Sequence, residues 1–330
     1  MNANSFRAAS AIWLNQVPFL LLVVVFLGFS LQSSAFWQPA NVLNILLQTS
    51  STGILAVGMT FVLLTAGVDL SVGSIMFVAA AIGGKLALAG YSLPAVLAVM
   101  IGIGIIYGCL NAVFITKFAI MAFVVTLATR YLGRGLGLRI TETRAMNLPD
   151  SFYDLGATKV LTLPLPVLIF CLVVLMAHLT LTRTPFGRQI YAIGADAEAA
   201  KKAGIKTSLI LFLVYVLCAV CAAVSGIVAL SQAPAVSPSF GNNREFMAIA
   251  AAVLGGTSLF GGRGNVFPGT MLGAVLIQTI ENGLNILNVN PYLYPLIISS
   301  IIFLTVLLDA MRHEILARTN RRRIYAETSA

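Results

Sequence analysis

Apolar residues fill long, continuous stretches of this chain, and short polar segments separate them. The stretches at 20–29 and 165–176 are examples. A membrane β-barrel strand needs only about 10 residues of alternating polarity, so uninterrupted runs favour membrane-spanning helices. The pattern predicts an all-α, polytopic helical bundle of about ten spans. They are 17–36, 51–67, 70–89, 93–116, 120–138, 161–182, 208–232, 246–256, 266–287 and 292–310.

The segment 67–73 interrupts one apolar stretch with two glycines and Asp69. It predicts a helix break between the second and third spans. At such a break, Asp69 has two possible roles. It can cap the third helix through the amides that follow it, or it can contact a solute or a gate in the space that the break opens.

Composition supports a membrane protein without a soluble domain. Of the 330 residues, 59% are hydrophobic and 9% are charged, whereas soluble domains carry about 25% charged residues. The longest polar stretches are too short to form a core of their own. We therefore interpret residues 1–330 as a single transmembrane domain.

The net charge of +9 comes from basic residues that flank the spans, so it reflects topology rather than nucleic-acid binding. Lys and Arg are concentrated in 183–207 and in the tail 311–330, which are therefore predicted to be cytoplasmic. The loop 139–160 has no positive bias and is predicted to lie outside. An even number of spans then places both termini, including 1–16, in the cytoplasm.

The sequence offers no catalytic constellation. The only approach to a nucleotide-binding loop is Gly83-Gly84-Lys85, but Leu86 follows it and supplies no hydroxyl for magnesium. The two histidines are far apart and suggest no metal site. We predict that the chain is not an enzyme and binds no cofactor or metal. Any ATP-driven work then requires a separate subunit.

Polar residues within the ninth span form a stripe of Gln278, Glu281, Asn282 and Asn285. Such a stripe can offer donors and acceptors to a hydroxyl-rich solute, or it can be a hydrogen-bonded seam between helices.

In the fifth span, Arg130 and Arg134 lie one turn apart. We interpret these two arginines as side chains that extend to the membrane surface, with an inward orientation as the alternative. Phe123, Tyr131 and Phe246 are aromatic candidates for stacking on a sugar ring.

The basic segment 183–207 contains a predicted short helix at 195–203, which Gly204 terminates. Acidic residues lie near its start and lysines near its end, as the helix dipole favours. The segment is either a helix that docks into a groove of a partner or an ordinary positively charged loop.

Four ordered stretches resemble the ribose-type permeases of bacterial ABC sugar importers, over about residues 36–310. They are R-T-P-F-G-R-Q-I-Y-A-I-G-A-D-A-E-A-A-K-K-A-G-I at 183–205; A-V-G-M-T at 56–60 with T-A-G-V-D-L-S-V-G-S at 65–74; A-I-A-A-A-V-L-G-G-T-S-L at 248–259 with G-G-R-G at 261–264; and N-G-L-N at 282–285.

The resemblance implies an ABC importer permease fold in the bacterial inner membrane, in a homo- or heterodimer. A cytoplasmic ATPase would bind ATP and magnesium, and a periplasmic binding protein would deliver a pentose-like or hexose-like monosaccharide. The segment 183–207 would couple to the ATPase through residues that match the motif. They are Gly187, Arg188, Tyr191, Gly194, Ala199, Ala200 and Gly204.

We expect polar and aromatic side chains to line or shape the solute pathway. The candidates are Asp69, Ser71, Phe123, Thr126, Glu245, Glu281, Asn282 and Asn285. The chain departs from the family pattern at Met247, where an acidic residue is usual, at Met121, where a proline is usual, and at Glu281. The identity of the sugar therefore stays open.

Three other functions remain as alternatives at this point. A branched-chain amino-acid permease shares the architecture. An ion-coupled secondary transporter would need a titratable residue such as Asp69 or Glu281, and a membrane enzyme would need a catalytic constellation.

Overall fold

The computed structural model of the chain describes residues 3–160, 162–294, 296–301, 303, 304 and 307, with side-chain surroundings from residue 18 onwards. The predicted basic tail 311–330 and part of the tenth predicted span lie outside the described residues. So does the side-chain environment of the predicted N-terminal segment 1–16.

Most of the described chain is helical, which confirms the all-α prediction. The helices are α1 Ala3–Gln32, α2 Pro39–Leu64, α3 Val72–Leu88, α4 Leu93–Thr116, α5 Ala122–Thr141, α6 Asp150–Ala157, α7 Leu165–Arg183, α8 Pro185–Ala195, α9 Ala197–Lys202, α10 Thr207–Gln232, α11 Arg244–Leu254 and α12 Met271–Ile286. A π-helical turn, Val266–Thr270, leads into α12, and a 3₁₀ turn, Pro291–Leu293, follows it.

The sequence pattern missed four strands of two residues each: β1 Met146–Asn147, β2 Lys159–Val160, β3 Leu163–Pro164 and β4 Ala235–Val236. β1 pairs antiparallel with β4, with Met146 opposite Val236, and β2 pairs antiparallel with β3. Segments this short carry no periodicity. The β1–β4 pair places the loops 139–160 and 233–245 on one side of the bundle, as the topology predicted.

Four described helices, α2, α4, α7 and α10, are long and apolar enough to cross a membrane, and 18–32 and α3 are shorter apolar helices. These helices support a multi-pass membrane protein. The count of about ten spans stays a prediction. Prolines in the first turn begin α2, α4, α7 and α8, where the missing N–H group costs no hydrogen bond.

α10 forms the centre of the bundle and packs against α2, α3 and α4. Small residues permit the close approach. A Cβ atom at Gly58 would lie 2.7 Å from Cβ of Cys221, and one at Gly104 or Gly108 would lie 2.8 Å from atoms of Ala219. Cys218 and Cys221 are free thiols that pack in this core.

The predicted break between the second and third spans is present. α2 ends at Leu64, and α3 begins at Val72. At the end of α2, the amide of Gly262 donates to the carbonyl oxygen of Leu64 at 3.0 Å. The loop that follows α11 therefore lies beside the α2 terminus, and α8 reaches the same place.

Candidate functional site

α8 packs tightly against the end of α2 and the loop after α11. A Cβ atom at Gly194 would overlap the carbonyl oxygen of Leu64 and would lie 2.5 Å from the amide nitrogen of Gly262. The phenol of Tyr191 donates to the carbonyl oxygen of Gly264 at 2.8 Å. Burial raises the pKa of Tyr191, which keeps its hydroxyl protonated as a donor.

The predicted short helix at 195–203 is present as α9, Ala197–Lys202, but the sequence pattern missed the helix that precedes it. The segment forms α8, which already begins at Pro185, and α9, which begins at Ala197. Asp196 divides them because its carboxylate accepts the amides of Glu198 and Ala199, both at 3.0 Å, as an N-cap. The predicted stop at Gly204 is present, with φ +85°.

The seven predicted coupling residues divide into two groups. Gly187, Tyr191, Gly194 and Ala200 are buried or half-buried, whereas Arg188, Ala199 and Gly204 are exposed. The first group positions the two short helices on the bundle, and the second remains accessible to a partner. A role of these residues in contacting an ATPase stays a prediction.

Arg130 and Arg134 on α5 point inward, so their interpretation as surface-extended side chains is wrong. Arg130 forms an ion pair with Oε1 of the wholly buried Glu245 at 2.5 Å and is 18% exposed. Arg134 donates to the carbonyl oxygen of Phe240 at 2.5 Å, and its guanidinium lies 4.8 Å from the centre of the Phe77 ring. These inward partners, a carboxylate and a carbonyl, hold the two guanidinium groups against the interior of the bundle.

Exposed aromatic rings flank the Arg130–Glu245 pair. The guanidinium carbon of Arg130 is 5.5 Å from the centre of the Phe246 ring and 6.0 Å from that of Tyr131. Phe246 is 42% exposed and Tyr131 is 68% exposed. Phe123, in the first turn of α5, is also exposed. α5 and α11 therefore present aromatic rings around a guanidinium group that is itself partly accessible.

Asp69 lies within a wholly buried polar network at the α2–α3 break. Its Oδ1 atom accepts the amide of Ser71 at 2.8 Å and the hydroxyl of Ser71 at 2.6 Å, and Nδ2 of Asn111 donates to that hydroxyl at 2.8 Å. Thr126 approaches the same break, 3.4 Å from the carbonyl oxygen of Val68. The amide bond goes to Ser71, which is itself the N-cap residue of α3 and has no side-chain cap hydrogen bond. Asp69 therefore holds the turn before α3, and both a capping role and a pathway role stay predictions.

Asn111 was absent from the sequence candidates. Its signal is its position as a polar residue in the apolar fourth span, but its partner lies forty residues away in the chain. Asp69, Ser71 and Thr126 therefore come together as a group. Glu245 lies near it on α11 and acts electrostatically on Asp69.

The polar stripe of α12 contacts α2 as a hydrogen-bonded seam. Nε2 of Gln278 donates to Oε1 of Gln48 and to Oε2 of Glu281, both at 2.9 Å. Nδ2 of Asn41 donates to Oδ1 of Asn282 at 3.0 Å. The seam interpretation therefore accounts for Gln278 and Asn282.

Glu281 and Asn285 differ from the buried members of the seam. Glu281 is half-buried and Asn285 is exposed, so these two keep unused hydrogen-bonding capacity. Nearby, Arg244 donates to the hydroxyl of Thr52 at 3.1 Å. The first turn of α11 thus makes two polar contacts. Arg244 contacts α2 beside the α2–α12 seam, and Glu245 pairs with Arg130 on α5.

Comparison with known proteins identifies the family. Residues 41–308 match the sequence model of the branched-chain amino acid transport system / permease component family. The ribose import permease protein of Haemophilus influenzae is 36% identical over 300 residues, which cover 89% of this chain and 92% of that protein.

The ribose import permease protein of Bacillus subtilis is 38% identical over 88% of this chain and 91% of its own. The D-allose transport system permease protein of Escherichia coli (strain K12) is 34% identical over 89% and 90%. No solved structure gives a significant match. The chain therefore belongs to this permease family, within the ribose-type permeases of bacterial ABC sugar importers.

Proposed function

We propose that this protein is the membrane-spanning permease of an ATP-driven importer for a monosaccharide, and that the solute passes along the face formed by α5 and α11. The named relatives are permeases for ribose and D-allose, which favours a pentose-like or hexose-like sugar over a branched-chain amino acid. ATP and magnesium would be bound by a separate ATPase subunit, so this chain would not itself be an enzyme.

The single observation that carries the pathway is the partly accessible guanidinium of Arg130 between the rings of Tyr131 and Phe246. A partly accessible arginine is costly against lipid, so a face that carries one should line an aqueous path or meet another protein. Aromatic rings can stack on the apolar faces of a sugar, and a guanidinium group donates hydrogen bonds to its hydroxyls. The buried Glu245 fixes the orientation of the guanidinium.

In this proposal, the energy for transport comes from a cytoplasmic ATPase that contacts α8 and α9. α8 touches both the end of α2, at Leu64, and the loop after α11, at Gly262. A displacement of α8 would therefore act on two helices at once. α2 leads into the break at Asp69. α11 bears Glu245 and Phe246, which lie beside the proposed path.

Other members of the proposed assembly follow from the family. A periplasmic binding protein would deliver the sugar to the side that carries the β1–β4 pair. A second permease, identical or homologous, would complete the path. The orientation that we propose places both termini in the cytoplasm, because the basic segment 183–207 favours that side.

Removal of the two aromatic rings tests the pathway. We expect the Tyr131→Ala/Phe246→Ala double variant to raise the KM of sugar uptake by at least about tenfold, which corresponds to a loss of about 1.4 kcal/mol of solute interaction. Uptake of radiolabelled ribose, allose and xylose into proteoliposomes that contain the ATPase and binding protein measures this.

The matched control is Leu132→Ala, which removes a similarly exposed apolar side chain next to Tyr131 on α5. It should leave KM near the wild-type value. An unchanged KM in the double variant, with the protein folded and inserted, would exclude this face as the path.

A further inference from the structure

Asp69 carries a buried oxygen atom that the proposed transport path does not use. Asp69, Ser71 and Asn111 are all wholly buried. Both hydrogen bonds from Ser71 go to Oδ1 of Asp69. Oδ2 of Asp69 and Oδ1 of Asn111 have no hydrogen-bond partner among the described residues. Within the part of the chain that the structure describes, the network thus has two unpaired acceptors and no donor for either of them.

No cation in the described part of the chain forms an ion pair with Asp69. Arg130 is paired with Glu245, and Arg134 is bound to Phe240 and lies over Phe77. The titratable groups that act on Asp69 from the helices packed around the break are Glu245 on α11 and Tyr215 and Cys218 on α10. None of these groups can bring a positive charge.

The start of α3 gives Asp69 one backbone donor. The amide of Ser71 binds Oδ1, and the second carboxyl oxygen receives nothing from this helix terminus in the described structure. An isolated carboxylate in a low-dielectric interior is strongly disfavoured, and such groups bind a proton or a cation instead. A proton removes the charge and also converts one acceptor into a donor.

We propose that Asp69 is a proton-binding site: Oδ2 carries a proton taken from water, and the resulting hydroxyl donates to Oδ1 of Asn111. One proton then satisfies both unpaired acceptors and leaves the break electrically neutral. This goes beyond the proposed sugar path along α5 and α11, because it assigns a bound proton to the α2–α3 break. A neutral break avoids the cost of an isolated charge in the interior of the bundle.

Infrared spectroscopy of the full-length permease in lipid nanodiscs tests the site. We expect a carbonyl band of a protonated carboxylic acid at neutral pH. It should move on ¹³C labelling of aspartate, which separates it from any glutamate band, persist in Asp309→Asn, and vanish in Asp69→Asn. The Asp309 control covers the aspartate of the tenth predicted span. Absence of an aspartate-derived band from the wild-type protein at neutral pH would overturn the proposal.

Thermal unfolding gives a second, independent measurement. An asparagine at position 69 offers an N–H donor where we place the proton, so Asp69→Asn should unfold within a degree or two of the wild-type protein, whereas Asp69→Leu should unfold several degrees lower. Two results would contradict a bound proton at Asp69. One is that Asp69→Asn lowers the unfolding temperature as much as Asp69→Leu does. The other is that sodium chloride raises the unfolding temperature of the wild type above that in choline chloride but leaves Asp69→Asn unchanged, which would indicate a metal cation.

Discussion

Substitution of Gly194 by alanine is expected to lower ATP-driven sugar uptake at least about tenfold, although the permease still inserts into the membrane. The added methyl group would overlap the carbonyl oxygen of Leu64 and approach the amide of Gly262. Both are backbone atoms, and neither can rotate away as a side chain does. α8 must therefore separate from α2 and from the loop after α11, and that contact is the proposed route for the drive from the ATPase.

Proteoliposomes reconstituted with the ATPase and binding protein measure uptake and ATP hydrolysis together. We expect hydrolysis that no longer rises when sugar-loaded binding protein is added. Gly102→Ala on α4 is the matched control, since a Cβ atom there meets nothing within 4 Å and the substitution favours the helix. Wild-type uptake by Gly194→Ala would show that this packing is not needed for coupling.

Loss of either member of the Arg130–Glu245 pair should be strongly destabilising. Arg130→Met leaves a wholly buried carboxylate without its cation, and Glu245→Gln leaves a largely buried guanidinium without its anion. Breaking a buried ion pair in this way typically costs about 3–5 kcal/mol. We expect uptake to fall with stability in both variants, because the pair also holds the partly accessible guanidinium between its two aromatic neighbours.

Denaturant or thermal unfolding in detergent, arranged as a double-mutant cycle, measures the coupling. The Arg130→Met/Glu245→Gln double variant should be more stable than the sum of the single effects predicts. The comparison pair is Lys85–Glu142, which is largely exposed at 3.8 Å, and Lys85→Met should cost less than about 1 kcal/mol. Additive effects at Arg130 and Glu245 would mean that the two side chains are not energetically paired.

The sequence pattern predicted the helix ends that depend on residues close by in the chain. The break at 65–71 follows from glycines and an acid within an apolar run, and the stop at Gly204 follows from its left-handed backbone. The division of 185–202 at Asp196 was open to the same reasoning, because aspartate is a favoured N-cap. The proline at position 185 also signalled an earlier helix start.

Contacts between distant segments were beyond the reach of the sequence pattern. Arg130 and Glu245 are more than a hundred positions apart, and nothing in the apolar periodicity says that α5 and α11 meet. The preference for surface-extended arginines followed from the cost of burial, and it failed because the structure supplies an anion and a carbonyl oxygen inside. Asn111 illustrates the same limit, since its partner Ser71 is on another helix.

The polar stripe on α12 was predictable in part from the sequence. Its spacing correctly predicted one polar helix face, but only the positions of Gln48 and Asn41 on α2 distinguish a seam from a solute site. A single helix shows which face is polar, whereas the partner helix decides what that face contacts.

Uptake of a radiolabelled monosaccharide into proteoliposomes tests most directly whether this chain is the passive membrane half of an ATP-driven sugar importer. Permease alone, permease with ATPase, and the full set with binding protein should be compared, each with and without ATP and with an imposed proton or sodium gradient. We predict accumulation only with the full set and ATP. Gradient-driven sugar uptake by the permease alone would contradict the account.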